Sequence, residues 1–354
     1  MKNKTIVSSS PHLHDATNVK YVMWHVVIAL MPALIAGIIF FGFSALTITI
    51  YSVIAAVTTE ALIQKLRKKP ITVSDGSAVI TGILIAFNVH ANSSWWLVVV
   101  GSIFAIAIGK HAFGGLGYNI VNPALLGRAF LLASWPTRMT AGWAKTQFGE
   151  LSGITIDNIP AVAKDLVSHA TPLGVANMLR DPEIVTSIGA DNVYSVFTHL
   201  TDFSTLNNLF WGNIGQCIGE ISAFALLLGA IYLLLLNIIE WRIPAFYIGT
   251  VFVLTYFFGG IDGFMSAPIT IPLFHILSGG LLLGAFFMAT DMVTSPITKK
   301  GRIIFGIGAG IITVVIRLYG GYPEGVSYAI LIMNLFVPLI DKFTSPKPFG
   351  EVKA

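Results

Sequence analysis

Three kinds of side chain in this sequence have types and spacings that suit chemistry. Hydroxyls follow a carboxylate in DLVSHATPLGV (165–175), paired amides occur in YNIVNPALLGRAF (118–130), and lone carboxylates, Glu60 and Glu220, lie within or beside apolar runs. Ser168 and Thr171 sit in the one long polar segment of the chain, with Asp165 just ahead of them. Read by itself, Ser-His-Ala-Thr-Pro is a helix-capping turn before LGVANML, because hydroxyl oxygens satisfy the free amides of a first turn.

Asn119 and Asn122 are three apart, so on a helix both amides project from one face. Pro123 removes a backbone donor beside them and favours a local break. Paired amides and freed carbonyls suit a flat heteroaromatic ring with alternating donors and acceptors; equally, they join helices with nothing bound. An ionisable group at membrane depth is costly, which makes Glu60 and Glu220 candidates for an ion pathway. Asp75, Asp262, Asp291 and Asp341 mark the ends of apolar spans, where capping or interfacial solvation accounts for them. His25, His90, His111 and His275 are scattered, with no i, i+4 pair for a metal. Cys217 is the single cysteine and reads as a small apolar residue, so neither an intrachain disulfide nor a thiolate metal site is expected.

The elements that position these residues are apolar. Of 354 residues 55% are hydrophobic and 11% charged, against about 25% charge in a soluble domain. The chain reads as an all-α polytopic membrane protein of about ten transmembrane helices, at about 20 apolar residues each. Five spans are expected near 21–43, 44–64, 77–92, 95–113 and 118–134, and five near 213–238, 243–260, 270–289, 303–320 and 326–341. The implied organisation is an N-terminal segment (1–20), a first transmembrane half (21–134), a large extracytoplasmic loop (135–212), a second half (213–341) and a C-terminal tail (342–354). With the N-terminus inside, 15 of the 21 basic residues, Lys110 among them, fall on the cytoplasmic side, so both termini are expected there. An odd number of spans per half predicts a 5+5 inverted repeat, with SDGSAVITGILIAFNVHA matching FHILSGGLLLGAFFMATD and a site where interrupted helices meet. GIGAG (306–310) reads as close helix packing, since no strand precedes it and no Lys-Ser/Thr follows. The basic residues cluster between spans, which argues against nucleic-acid binding.

Asp-x-x-Ser-x-Ala-Thr within DLVSHATPLGV resembles the covalent flavinylation signature Asp-x-x-(Ser/Thr)-Gly-Ala-Thr. SDGSAVITGILIAFNVH (74–90) and VNPALLGRAF (121–130) resemble the RnfD/NqrB family of membrane subunits, and the likeness covers nearly the whole chain. The resemblance implies FMN carried as a phosphoester on Thr171, with Asp165 and Ser168 as recognition positions for a flavin transferase that moves FMN from FAD. It also implies an unesterified riboflavin at Asn119 and Asn122. His169 departs from the family's glycine, which bears on how efficiently the flavin is attached.

An Rnf-type complex in a prokaryotic inner membrane is then expected, coupling electron transfer between ferredoxin and NAD to Na⁺ or H⁺ translocation. Its other subunits would include an extracytoplasmic flavoprotein. The sequence holds no dinucleotide fingerprint or iron–sulfur motif, so catalysis would be shared with those subunits. The RnfD side is preferred because the segment before the first span is short. The competing expectations are an NqrB-like subunit of a Na⁺-translocating NADH:quinone reductase, and a secondary transporter or channel without covalent flavin.

Overall fold

Asn18 starts the first helix by accepting the Tyr21 amide on its side-chain oxygen at 2.8 Å, and apolar residues then carry α1 (Val19–Phe41). Gly42, at φ +73°, turns the chain directly into α2 (Phe43–Leu66), a backbone state that glycine adopts without a Cβ clash. The computed structural model describes residues 18–146, 170–260, 268–321 and 324–346. The remainder of the first half forms α3 (Ser77–Phe87), α4 (Trp95–Phe104, continued as a π-helix to His111) and α5 (Pro123–Ser134).

The 135–212 segment, expected as a loop, carries five short helices among its described residues. It contains α6 (Pro136–Thr140), α7 (Pro172–Met178), α8 (Pro182–Ile188), α9 (Ala190–Leu200) and α10 (Phe203–Trp211). Leu173, Val175, Leu179, Val196, Leu200 and Leu209 form an apolar cluster of their own there, closed by Phe274 from the membrane half. A polar average over this segment conceals that periodicity.

The second half comprises α11 (Ala223–Leu235), α12 (Arg242–Phe258), α13 (Thr270–Leu277), α14 (Leu281–Leu283, continued as a π-helix to Met288), α15 (Lys299–Tyr319) and α16 (Val326–Thr344). Among the described residues there is no strand. Helices α1, α2, α15 and α16 are each long and apolar enough to cross a membrane, and α13 with α14 makes a fifth candidate bent by 65°. Helices α3, α4, α5, α11 and α12 are apolar but shorter. The chain is a multi-pass membrane protein.

Four expected spans are broken rather than continuous. The span near 77–92 ends its helix at Asn88, and that near 118–134 becomes helical only at Pro123. The span near 213–238 begins with non-helical chain and a single 3-10 turn, Ile218–Glu220, before Ser222 caps α11. In the fourth, extended Ser278 and Gly279 at φ +67° separate α13 from α14. Each break combines a small or amide residue with local capping, a pattern that hydrophobicity alone does not register.

GIGAG packs helices, as its composition indicates. A Cβ on Gly306 would come within 2.9 Å of the Ile243 carbonyl, and one on Gly310 within 2.6 Å of Thr250, so α15 lies close against α12. The shared core includes Leu30, Phe87, Leu125, Tyr247 and Phe305, drawn from both halves.

Candidate functional site

Thr171 caps α7. Its side-chain oxygen accepts the Gly174 amide at 3.3 Å, which is the capping geometry the residues alone suggest. Only 8% of the residue is exposed, so it does not stand on an exposed loop as a modified threonine would be expected to. It lines a cavity of about 310 Å³ with Asn88, Arg128, Trp143, Asn177 and Glu324. That volume lies at the lower end of the range for small-molecule sites. Asp165, Ser168 and His169 lie outside the described residues.

Asn119 and Asn122 do not share a helix. Asn122 is the N-cap of α5, accepting the amides of Ala124 and Leu125 at 3.0 and 3.4 Å, and Pro123 occupies the first helical position, where a missing N–H costs nothing. Asn119 precedes the helix. Both nonetheless line one cavity with Ser77, Lys110 and Asp291. The Asn122 amide nitrogen donates to the Met288 carbonyl at 3.2 Å, while the buried Asn119 side-chain oxygen has no partner among the described residues. The void measures about 100 Å³, so this donor and acceptor set suits a polar ring edge, but its apolar walls must part to admit a fused ring.

The two candidate carboxylates differ sharply. Glu60, on α2, is fully engaged: Lys110 donates to its oxygens at 2.7 and 2.9 Å, and Gln64 donates at 3.2 Å. Lys110 also donates to Ser77 at 2.6 Å and is 2% exposed, so it is a buried member of the π-helical end of α4 and leaves the count of cytoplasmic loop charges. Glu220, 2% exposed, has no hydrogen-bond partner on either oxygen among the described residues. The Arg128 guanidinium is 3.9 Å away and donates instead to Asn88 at 2.6 Å, to Ser327 at 2.9 Å and to Glu324. One Glu220 oxygen lies against Gly280, at the break between α13 and α14.

Cys217, Glu220 and Glu324 bring their ligand atoms within 4.8 Å of one another, the one such grouping among the described residues. Cys217 is thus buried, as expected of a small apolar residue, yet it borders two carboxylates. Across the break Arg317 donates to the carbonyls of His275 and Ser278. Nothing local in the sequence singles out Glu324, Arg317 or the burial of Lys110. Glu324 follows α15 in the sequence Tyr-Pro-Glu-Gly, whose composition reads as solvated, and only folding brings it to Arg128.

Asp75 accepts the Ser77 amide at 2.8 Å and Asp291 accepts the Thr294 hydroxyl at 3.0 Å, each in a local turn beside a span end, whereas Asp341, within the last turns of α16, accepts the Ile297 amide ahead of α15 at 3.1 Å and so ties two segments together. Asp262 lies outside the described residues. His25 bonds Tyr232 at 2.6 Å and His90 bonds the Arg138 carbonyl at 3.0 Å, each in a separate part of the bundle.

These features define a helical, multi-pass membrane protein whose buried charges gather where helices are interrupted. The chain belongs to the NQR2, RnfD, RnfE family, whose model matches residues 6–350. It is 47% identical over 347 residues to a subunit of the Na⁺-translocating ferredoxin:NAD⁺ oxidoreductase complex of Acetobacterium woodii, covering 98% of this chain and 96% of that protein. It is 45% identical over 349 residues to a subunit of the proton-translocating ferredoxin:NAD⁺ oxidoreductase complex of Clostridium ljungdahlii, covering 99% and 97%. A third relative, a subunit of the ion-translocating oxidoreductase complex of Shewanella denitrificans, is 37% identical over 361 residues, covering 98% and 99%. The family resemblance drawn from the sequence is borne out.

Proposed function

We propose that this chain is the flavin-carrying membrane subunit of an Rnf-type complex that couples electron transfer between ferredoxin and NAD to Na⁺ or H⁺ translocation. The subunit assignment is supported by relatives at 45–47% identity over almost the full length, whose names describe that activity. The flavin assignment is supported by one observation above others: the motif threonine, Thr171, opens on a cavity of about 310 Å³ that also presents Arg128 and Asn88.

In this reading Thr171 carries FMN as a phosphoester, attached by a flavin transferase that recognises Asp165 and Ser168. Riboflavin binds at Asn119 and Asn122. The flavins supply the electron chemistry, and the protein supplies their positions and surroundings. Arg128 and Asn88 offer donors to the polar edge of whatever fills the Thr171 cavity, while Trp143 and Met139 offer an apolar wall. Between the two cavities Asn88 bridges inward, with its amide nitrogen 4.0 Å from the Met288 sulfur, and Met288 in turn accepts Asn122 through its carbonyl.

The topology belongs to the same reading. Ten crossings arise if the short and broken helices each cross with their non-helical extensions, and in this reading they form a 5+5 inverted repeat. Both termini are then cytoplasmic in a prokaryotic inner membrane, and 135–212 faces an extracytoplasmic flavoprotein subunit. Glu60 and Glu220 are the carboxylates through which ion movement answers the electron's charge.

The test is flavin fluorescence of the denatured chain in a gel, wild type beside Thr171→Ala, each expressed with a flavin transferase and checked by intact mass. A fluorescent wild type and a dark variant carry the reading. A dark wild type of unmodified mass overturns it.

A further inference from the structure

Glu220 is the anomaly of the bundle. A buried carboxylate normally has its oxygens satisfied, because an unpaired charge in low dielectric costs several kcal/mol. Glu60 meets that demand with Lys110 and Gln64; Glu220, equally buried, has the Cys217 thiol beside it and Arg128 at 3.9 Å, and neither of its oxygens accepts a hydrogen bond of good geometry among the described residues. The charged groups around it come from several elements: Arg128 from α5, Arg317 from α15, and Glu324 from the chain entering α16. Cys217 lies beside it on its own segment, and the Gly280 backbone closes the side facing α14. Arg128, Glu324 and Cys217 also line the cavity that Thr171 opens on.

We propose that Glu220, with Glu324, forms an exchangeable monovalent-cation site whose occupancy is tied to the charge in the Thr171 cavity. Two arginines and two glutamates make the cluster neutral when all four are ionised. An added cation is therefore unfavourable on its own and becomes favourable when a negative charge arrives next door. One electron delivered to a flavin in that cavity, from the reduced flavoprotein subunit, adds one negative charge; one cation taken up at Glu220 cancels it. A divalent ion would overcompensate beside two guanidinium groups. A carboxylate pair can hold either H⁺ or Na⁺ by the same oxygens, which matches relatives of nearly equal identity whose names specify different ions. The redox link rests on the flavin reading given above; the vacant oxygens of Glu220 do not.

The experiment uses the intact complex in detergent and a membrane-soluble carbodiimide, which forms a stable adduct only with a protonated carboxyl. Adduct at Glu220 is measured by peptide mass in air-oxidised and dithionite-reduced samples, in NaCl and in choline chloride. Proton occupancy predicts several-fold more Glu220 adduct on reduction in both salts. Sodium occupancy predicts a reduced sample protected several-fold by NaCl and not by choline. Cys217→Ser keeps the carboxylates and is expected to preserve either pattern; its loss of the pattern would identify a thiolate-bound metal instead and overturn the proposal. Glu220 labelling that ignores both redox state and Na⁺, in a sample whose Thr171 peptide carries flavin, also overturns it. A Thr171 peptide without flavin overturns the underlying reading and the redox link together, and Na⁺ protection in that sample still tests the site itself.

Discussion

Lys110 and Glu60, fifty positions apart in sequence, form a two-pronged ion pair at 2.7 and 2.9 Å in the interior of the bundle, and Ser77 accepts a further Lys110 hydrogen bond at 2.6 Å. Three elements, α2, the start of α3 and the end of α4, are tied at one point. The π-helical winding of residues 105–111 accompanies this tie, as wide turns often do where a helix must present a functional side chain.

Breaking that pair strands a charge. Lys110→Met is expected to lower stability by about 3–5 kcal/mol, while Lys110→Met combined with Glu60→Leu loses distinctly less, since no buried charge is left alone. Denaturant or thermal unfolding of the purified chain in one detergent checks this. Equal losses in the single and double variants would show that the pair is not electrostatically coupled.

Thr171 has two separable roles. Thr171→Ala removes a helix cap worth about 1 kcal/mol and should also abolish any covalent flavin. Thr171→Asn restores a capping oxygen without a hydroxyl, so stability should return while the flavin signal does not. Melting temperature and adduct mass read on the same preparations distinguish the two.

The asparagines should divide in a similar way. Asn122→Ala loses the α5 cap and is expected to cost about 1 kcal/mol, whereas Asn119→Ala, whose amide nitrogen makes only a 3.5 Å bond to the Val121 carbonyl and a contact to Asp291, should cost less. Both variants are expected to lose riboflavin released on denaturation, quantified by chromatography. Full riboflavin content in Asn119→Ala would remove that residue from the site.

Gly310→Leu should disrupt the contact of α15 with α12, because even a Cβ at Gly310 would approach Thr250 within 2.6 Å. Gly249 has open space around it, so Gly249→Ala serves as the control and should behave as wild type. Size-exclusion profiles and thermal unfolding of the two variants report the difference.

Much of this molecule is legible in its sequence where one residue type has one physical use. The long apolar runs of α1, α2, α15 and α16, the close packing of GIGAG and the local turns at Asp75 and Asp291 follow from local rules, while the bond of Asp341 to the distant Ile297 amide does not. The breaks at Asn88, Ser222 and Ser278 do not, because a broken membrane helix has the same average hydropathy as an intact one. The pairing of Lys110 with Glu60 escapes for a related reason: a lysine near the end of an apolar run reads as a boundary charge until a carboxylate from another helix is found beside it. Motif spacing points to Thr171, Asn119 and Asn122, but not to the true setting of the two asparagines, since Pro123 begins α5 where the sequence suggests a break within it. Glu324 gives no local signal at all; its meaning arises only from its contact with Arg128.

The burial of Thr171 imposes an order of events on biogenesis. Thr171 is 8% exposed as a residue and its hydroxyl caps its own helix, so whatever reaches that oxygen must come through the cavity it lines. Any group attached to it must enter before the cavity shared by α7, α5 and the chain ahead of α16 closes, or while that cavity opens. A modified threonine in the finished protein would therefore record that its hydroxyl was reached before the cavity closed or while it stood open.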